Sequence, residues 1–295
     1  MSIFVTGDTH GARRLDYSHF DGYMPRLSMS NFSEQKSMTK DDVVIILGDF
    51  GGVWYTDRQH CCESKSEQYE LDWLNDRNFT TIFVPGNHEN WDRLIGCTDE
   101  KILNSWLFQK YTDEDKQRLK EGYPRQEWHG GFVRAIRPSV LMAEPGVFTI
   151  NGRRFFMCGG ANSHDIKDGI LNPADYKNNQ TFRAAYKRMS NQKKQFRVAH
   201  VSWWPQEQLL PQWEQQAYEA LAAHYWNVDF ICSHDCSVSD RAILGYAEQT
   251  RINKFFEYIK QNVQYKYWFF GHLHNNYTMP GNKEHLLYEQ LIQIL

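Results

Sequence analysis

Five short apolar runs in this chain each end on a cluster of metal-ligand residues, and few folds accommodate that pattern five times. Residues 2–6 run into Gly7-Asp8-Thr9-His10, and residues 43–47 into Gly48-Asp49. Residues 80–84 lead to Gly86-Asn87-His88-Glu89, 229–233 to His234-Asp235, and 267–270 to Gly271-His272-Leu273-His274. Such runs read as buried strands. Open α/β sheets carry their chemistry just outside the carboxyl ends of their strands. Five clusters in that one position are therefore expected on a single rim. Two aspartates, an asparagine and several histidines there suit a pair of divalent metals.

Between the motifs the chain alternates helix and strand signals. Residues 63–75 carry Tyr69, Leu71, Trp73 and Leu74 among charges, which predicts an amphipathic helix. Residues 146–159 alternate about a turn at Asn151-Gly152 and predict a hairpin. Helices are expected over 209–223 and 251–262, and a surface helix near the rim over 101–121. A last strand over 286–294 should close a sheet, and 14–42 should be loop with some helix. With no repeat and no linker rich in Pro, Gly and Ser, one domain over 1–295 with inserted loops is the simplest organisation. The pattern predicts two mixed sheets packed together with helices outside.

Charge and cysteine usage exclude some classes. Lys+Arg at 33 against Asp+Glu at 36 leaves a net charge of −3, so there is no strong nucleic-acid signal. Cys61, Cys62, Cys97, Cys158, Cys232 and Cys236 lack zinc-finger spacing and are expected as reduced thiols. No apolar run is long enough for a membrane span. Only seven residues precede Asp8, too few for a cleavable signal, so a cytoplasmic protein is expected.

The clusters differ in what they offer. Asp8 and His10 are two apart, and in extended chain both side chains fall on one side and reach one ion. The same reading applies to His272 and His274. Asp49 follows a fully apolar strand, where a carboxylate is costly unless paired or metal-bound. It fits a bridge between two metals, and fits equally a turn or helix N-cap before Gly51-Gly52. Asn87 offers a neutral oxygen or a turn after Pro85-Gly86, with His88 beside it placed to touch substrate. His234 is preferred over His200 as the remaining histidine, because its strand is longer and more apolar. Ser163-His164-Asp165 is rejected as a triad, since consecutive residues cannot form the Ser–His–Asp chain. Trp54, Tyr55 and Trp128-His129 are rim or packing candidates.

Taken in order, Gly-Asp-x-His, Gly-Asp, Gly-Asn-His-Glu, a later His and Gly-His-x-His resemble the calcineurin-like metallophosphoesterase superfamily, over residues 8–274. The strings Gly48-Asp49-Phe50-Gly51-Gly52-Val53-Trp54, Gly159-Gly160-Ala161-Asn162-Ser163-His164-Asp165 and Leu287-Tyr288-Glu289-Gln290 look like a bacterial and phage subgroup of it. The resemblance implies a four-layer α/β/β/α sandwich. It implies one metal at Asp8, His10, Asp49 and His274, and a second at Asp49, Asn87, His234 and His272. His88 would then protonate the leaving group or stabilise the transition state. Protein Ser/Thr phosphatases of the superfamily carry an Asp-Arg pair where Gly52 and Val53 stand here, which argues against that activity. Glu89 follows the Asn-His pair where Asp is more frequent.

What the resemblance implies is a metal-dependent phosphoesterase that hydrolyses a small phosphoester by in-line attack of a hydroxide shared by two metals. A phosphodiester or nucleotide is favoured. A phosphomonoesterase, a nuclease, and a non-catalytic metal-binding scaffold are the alternatives. The Asp/Asn/His set without thiolate suits Mn, Fe, Zn, Co or Ni, with Mn the working choice.

Overall fold

The computed structural model describes residues 1–11, 25–54 and 63–295, so Tyr55, Cys61, Cys62 and most of the early part of the 14–42 insertion lie outside the described residues. Its strands are β1 (Ile3–Thr6), β2 (Val43–Ile46), β3 (Thr80–Phe83), β4 (Arg125–Trp128) and β5 (Gly131–Arg137). There follow β6 (Val140–Ala143), β7 (Gly146–Ile150), β8 (Arg153–Cys158), β9 (Ile170–Leu171) and β10 (Arg197–Val198). The last five are β11 (Phe230–Ser233), β12 (Tyr267–Phe270), β13 (Tyr277–Thr278), β14 (Glu284–Leu286) and β15 (Leu291–Gln293).

Two large mixed sheets result. The first has the order β15-β1-β2-β3-β6-β5-β4 and the second β13-β14-β12-β11-β8-β7. In the first, β1, β2, β3 and β6 run parallel, β15 and β5 run against them, and β4 pairs antiparallel with β5. In the second, β8, β11, β12 and β14 run parallel, flanked by antiparallel β7 and β13.

Strand periodicity explains how the sheets stack. Successive side chains alternate between faces. Ile3, Val5, Val43, Ile45 and Ile82 of the first sheet join Phe155, Met157, Phe230, Cys232 and Phe269 of the second in one buried cluster between them. The intervening residues point outward to helices. Ile46 and Phe83 face the same cluster as Leu71 and Leu74 of helix Lys65–Asn75. Trp268 and Phe270 share it with Phe255, Phe256 and Ile259 of helix Arg251–Asn262 and with Trp213, Ala217 and Leu221 of helix Pro211–Ala223. Each such fully buried side chain contributes about 1.5–3 kcal/mol. The layers run α/β/β/α, as the resemblance implies.

Two expectations need revision. The segment 286–294 is not one strand. Its first residue, Leu286, is the last of β14 in the second sheet and Leu291–Gln293 form β15 in the first, so the tail crosses between sheets. The 101–121 segment breaks into Glu100–Leu103, a 3-10 turn at Trp106–Phe108 and helix Asp113–Glu121, which pack around a small cluster of their own. In helix Lys65–Asn75, Tyr69 is exposed while Glu67 and Glu70 are buried. Glu67 closes a capping box with Ser64, accepts the Trp54 N–H at 2.6 Å and pairs with Arg93 at 3.0 Å. Charge at those positions hid the buried face from a hydrophobicity pattern.

Candidate metal centre and its cavity

The parallel strands β1, β2, β3, β11 and β12 deliver the five clusters to one rim, where their loops are stitched together. His10 and Gly11 donate backbone N–H groups to Asp49 and Phe50 carbonyls at 2.8 and 2.9 Å. Gly271 donates to the His234 carbonyl at 2.9 Å, and His272 N–H to Asp8 Oδ1 at 3.0 Å. Glu89 is fully buried and accepts N–H groups from Phe50 (2.7 Å) and Gly51 (3.3 Å). It therefore clasps the turn that carries Asp49. Burial, with the Asp49 charge nearby, holds the Glu89 carboxyl well above its ordinary pKa.

Side chains from these loops converge in two groups that share Asp49. Asp8, His10, Asp49 and His274 form one, and Asp49, His234 and His272 the other, with ligand atoms in each within 4.8 Å of one another. Within the first, His10 Nε2 and His274 Nε2 face each other at 3.0 Å, and His274 Nε2 lies 3.1 Å from Asp8 Oδ2. Within the second, His234 Nε2 lies 3.2 Å from both Asp49 Oδ1 and Asn87 Oδ1. The Leu47 carbonyl accepts from His234 Nδ1 at 2.8 Å, which leaves Nε2 as the nitrogen that could ligate an ion. His88 donates its backbone N–H to Asp49 Oδ1 at 2.8 Å, and its ring Nε2 stands 3.8 Å from Asp49 Oδ2.

His272 and His274 do not act as an extended pair on one ion. His10, Asp49, His272 and His274 have φ of 52°, 43°, 72° and 48°, in the left-handed region that non-glycine residues rarely enter. Each such residue costs roughly 1–2 kcal/mol. The turns send His272 and His274 to different groups. Backbone strain of this kind concentrates at functional sites.

The residues fit a pair of cations. His272 Nε2 is buried with no hydrogen-bond partner, and Asp8 Oδ2 makes no well-formed hydrogen bond, with only the His274 ring nitrogen near it at 3.1 Å. Burial lowers the His272 pKa to about 4, which keeps the ring in its neutral, ligating form. Burial alone would also lower His234, but the Asp49 and Asp8 carboxylates raise it instead. A cation would replace that proton.

Glycines make room for this crowding. A Cβ on Gly86 would stand 2.2 Å from Asp49 Oδ1 and 2.8 Å from His234 Nε2. Gly86→Ala is therefore expected to weaken metal binding at least about tenfold, while overpacking costs the fold only about 1–3 kcal/mol. Metal titration beside chemical denaturation checks this; unaltered metal affinity would mean that the loop relaxes away from the site.

The centre opens into a cavity of ≈ 330 Å³ lined also by His164, Asp165, Arg197, Tyr246 and Leu273. Ser163, His164 and Asp165 turn to three different partners. Ser163 bonds Glu207, the His164 ring lies 4.9 Å from that of His272, and Asp165 takes both Arg197 Nε and Nη2 at 2.7 Å. Sequence reasoning missed Glu207, Arg197 and Tyr246, which sit in polar stretches without a motif. His200 belongs to neither group and is buried at 2.7 Å from Asp92. With Cys97 these form a third group of metal-ligand types, but Trp204 and Gln206 also donate to Asp92, so both of its carboxylate oxygens already accept hydrogen bonds. Trp54 packs against Trp204, and Trp128 against Phe148.

Comparison with solved structures finds a phosphopantetheinyl hydrolase from Mycobacterium tuberculosis at 14% identity and TM-score 0.39, covering 100% of this chain and 95% of that one. It also finds a provisionally assigned 5'-nucleotidase from Staphylococcus aureus, in complex with alpha-ketoglutarate, at 14% identity and TM-score 0.41. That match covers 97% of this chain and 48% of the other. Among curated proteins no match is found. The calcineurin-like phosphoesterase family profile matches residues 1–276, and by that match the chain belongs to the calcineurin-like phosphoesterases.

Proposed function

We propose that this chain is a dinuclear metal-dependent hydrolase of small phosphoesters, with phosphodiesters or nucleotides favoured over simple monoesters. The observation that carries the reading is the pair of ligand groups sharing Asp49, with His272 Nε2 left without a hydrogen bond and Asp8 Oδ2 without a well-formed one. Asp8, His10, Asp49 and His274 would hold one ion, and Asp49, Asn87, His234 and His272 the other. Two bound ions would acidify a water and neutralise charge on the phosphoryl oxygens.

The chain's own groups supply the rest. Asp49, 1% exposed, aims one oxygen at each group. The Leu47 carbonyl fixes the His234 tautomer. His88 lines the cavity beside Asp49, where its ring can hand a proton to the departing oxygen. The preference for diesters rests on charge. Among the described residues lining the cavity, Arg197 is the one Arg or Lys, and two contacts to Asp165 already offset it. That wall adds little attraction for a dianionic monoester and suits a monoanionic diester. Mn is the favoured metal. The chain's net charge of −3 weighs against a nuclease.

A cytoplasmic location is part of the same proposal. Cys97, Cys158, Cys232 and Cys236 are free thiols, and no described helix is long and apolar enough to cross a membrane.

Hydrolysis of bis(p-nitrophenyl) phosphate and p-nitrophenyl phosphate, side by side with added Mn, tests the reading. Diester cleavage is expected to be the faster. Faster monoester cleavage would point to a phosphomonoesterase, and silence on both with metals bound would favour a scaffold.

A further inference from the structure

Asn87 raises a question of orientation that metal ligation makes decisive. Its side chain ends in one oxygen and one nitrogen of nearly equal size, and only the oxygen can bind a cation. Something on the far side of the amide must decide which end faces His234.

That far side holds Ser163 and Glu207, both buried, at 1% and 0% exposure. Ser163 Oγ donates to Glu207 Oε2 at 3.0 Å, and Ser163 N–H donates to Glu207 Oε1 at 2.8 Å. The single hydroxyl proton is thereby spent on Glu207. What Ser163 Oγ has left for Asn87 is lone pairs, and Asn87 Nδ2 approaches it at 3.4 Å. The opposite amide orientation would set Asn87 Oδ1 against those lone pairs and turn an N–H₂ toward the ligand group. Glu207 also anchors the loop through its backbone carbonyl, which accepts Ala161 N–H at 3.0 Å.

A carboxylate in this place is costly, since among the described residues neither oxygen is hydrogen-bonded to a Lys or Arg and both accept from one serine. In its charged form Glu207 only accepts, and it then imposes one direction on the whole chain of bonds. Burial pushes the Glu207 pKa up, and cations held by Asn87 and its neighbours would draw it back toward the charged form.

We propose that Glu207 and Ser163 are positioning residues that lock the Asn87 amide with its oxygen toward the second metal. The proposal rests on the dinuclear reading above. In Glu207→Gln the new amide can donate to Ser163 Oγ, which frees the hydroxyl proton for Asn87 and reverses the direction. In Ser163→Ala the acceptor is gone.

The test is Mn titration by calorimetry, with bound Mn counted per chain, on the wild type, Ser163→Ala, Glu207→Gln, and both variants again in an Asn87→Asp background. A carboxylate at position 87 has two equivalent oxygens, so its orientation no longer matters. Wild-type protein is expected to bind two ions. Either single variant should bind the second about 10–100-fold more weakly. In the Asn87→Asp background the same changes should cost less than about threefold, a non-additivity that general loss of structure would not produce. Equal losses in both backgrounds, or full affinity in both single variants, would overturn the proposal. A wild type that binds fewer than two ions would overturn the dinuclear reading itself.

Discussion

Replacing Asp49 by Asn is expected to lower phosphoester hydrolysis at least about 10³-fold, equivalent to roughly 4 kcal/mol of transition-state stabilisation. Asp49 Oδ1 lies 3.2 Å from His234 Nε2, and Oδ2 lies 3.9 Å from His10 Nε2, so each oxygen serves a different ligand group. An asparagine keeps the shape and can still accept the His88 N–H, but it turns one oxygen into a donor and removes the negative charge shared by the two ligand groups. The buried histidines around it hold the Asp49 carboxyl below its usual pKa against the opposing effect of burial, so it is ionised at neutral pH. Initial rates on bis(p-nitrophenyl) phosphate, with circular dichroism as the folding control, provide the measurement. A variant keeping more than about a tenth of the wild-type rate would remove Asp49 from the shared position.

Arg241→Ala is expected to cost about 3–5 kcal/mol of stability without touching any candidate ligand. Arg241 Nη1 reaches Asp235 Oδ1 at 2.9 Å and Oδ2 at 3.1 Å, and both residues are almost fully buried. Alanine leaves the Asp235 carboxylate with the Cys236 N–H at 2.8 Å but without its guanidinium. Burial would raise the Asp235 pKa, yet His272 and Arg241 bring it below the usual value. A depressed carboxylate stabilises the fold fully above its unfolded pKa, about 4, and loses that contribution as pH falls through the folded value. The gap between wild type and variant should therefore narrow in acid. Urea unfolding at pH 7 and pH 3 reads both effects. A difference under 1 kcal/mol at pH 7 would mean that solvent reaches Asp235 and replaces the arginine.

The strands were legible because their signal is local. Four- or five-residue runs such as Val43–Ile46 are apolar on both faces, as strands between a second sheet and a helix layer must be. The hairpin at Asn151-Gly152 was legible from turn chemistry, and helix Arg251–Asn262 from its spacing. Segment 286–294 misled because a strand pattern does not say which sheet a strand joins. Leu286 pairs with β12 and Leu291–Gln293 with β1, chosen by where the chain already lies.

At the rim, residue types and strand ends nominated Asp8, His10, Asp49, Asn87, His88, His234, His272 and His274 as candidates, since ligand chemistry is a property of the side chain, and the resemblance gave them as a set. The family resemblance already implied how they divide, and the tertiary structure shows what produces that division. Left-handed turns at His272 and His274 send neighbours in sequence to different groups, and φ cannot be read from residue type at non-glycine positions. Glu89 as the clasp of the Asp49 turn, Arg197 beside Asp165, and Glu207 behind Ser163 were equally invisible. Their partners are 39, 32 and 44 residues away. Contacts at that separation form only when two sheets pack and set their loop ends side by side. The sequence by itself determined which groups could bind a cation and that strand ends would carry them, because both follow from local chemistry. Packing decided which groups meet.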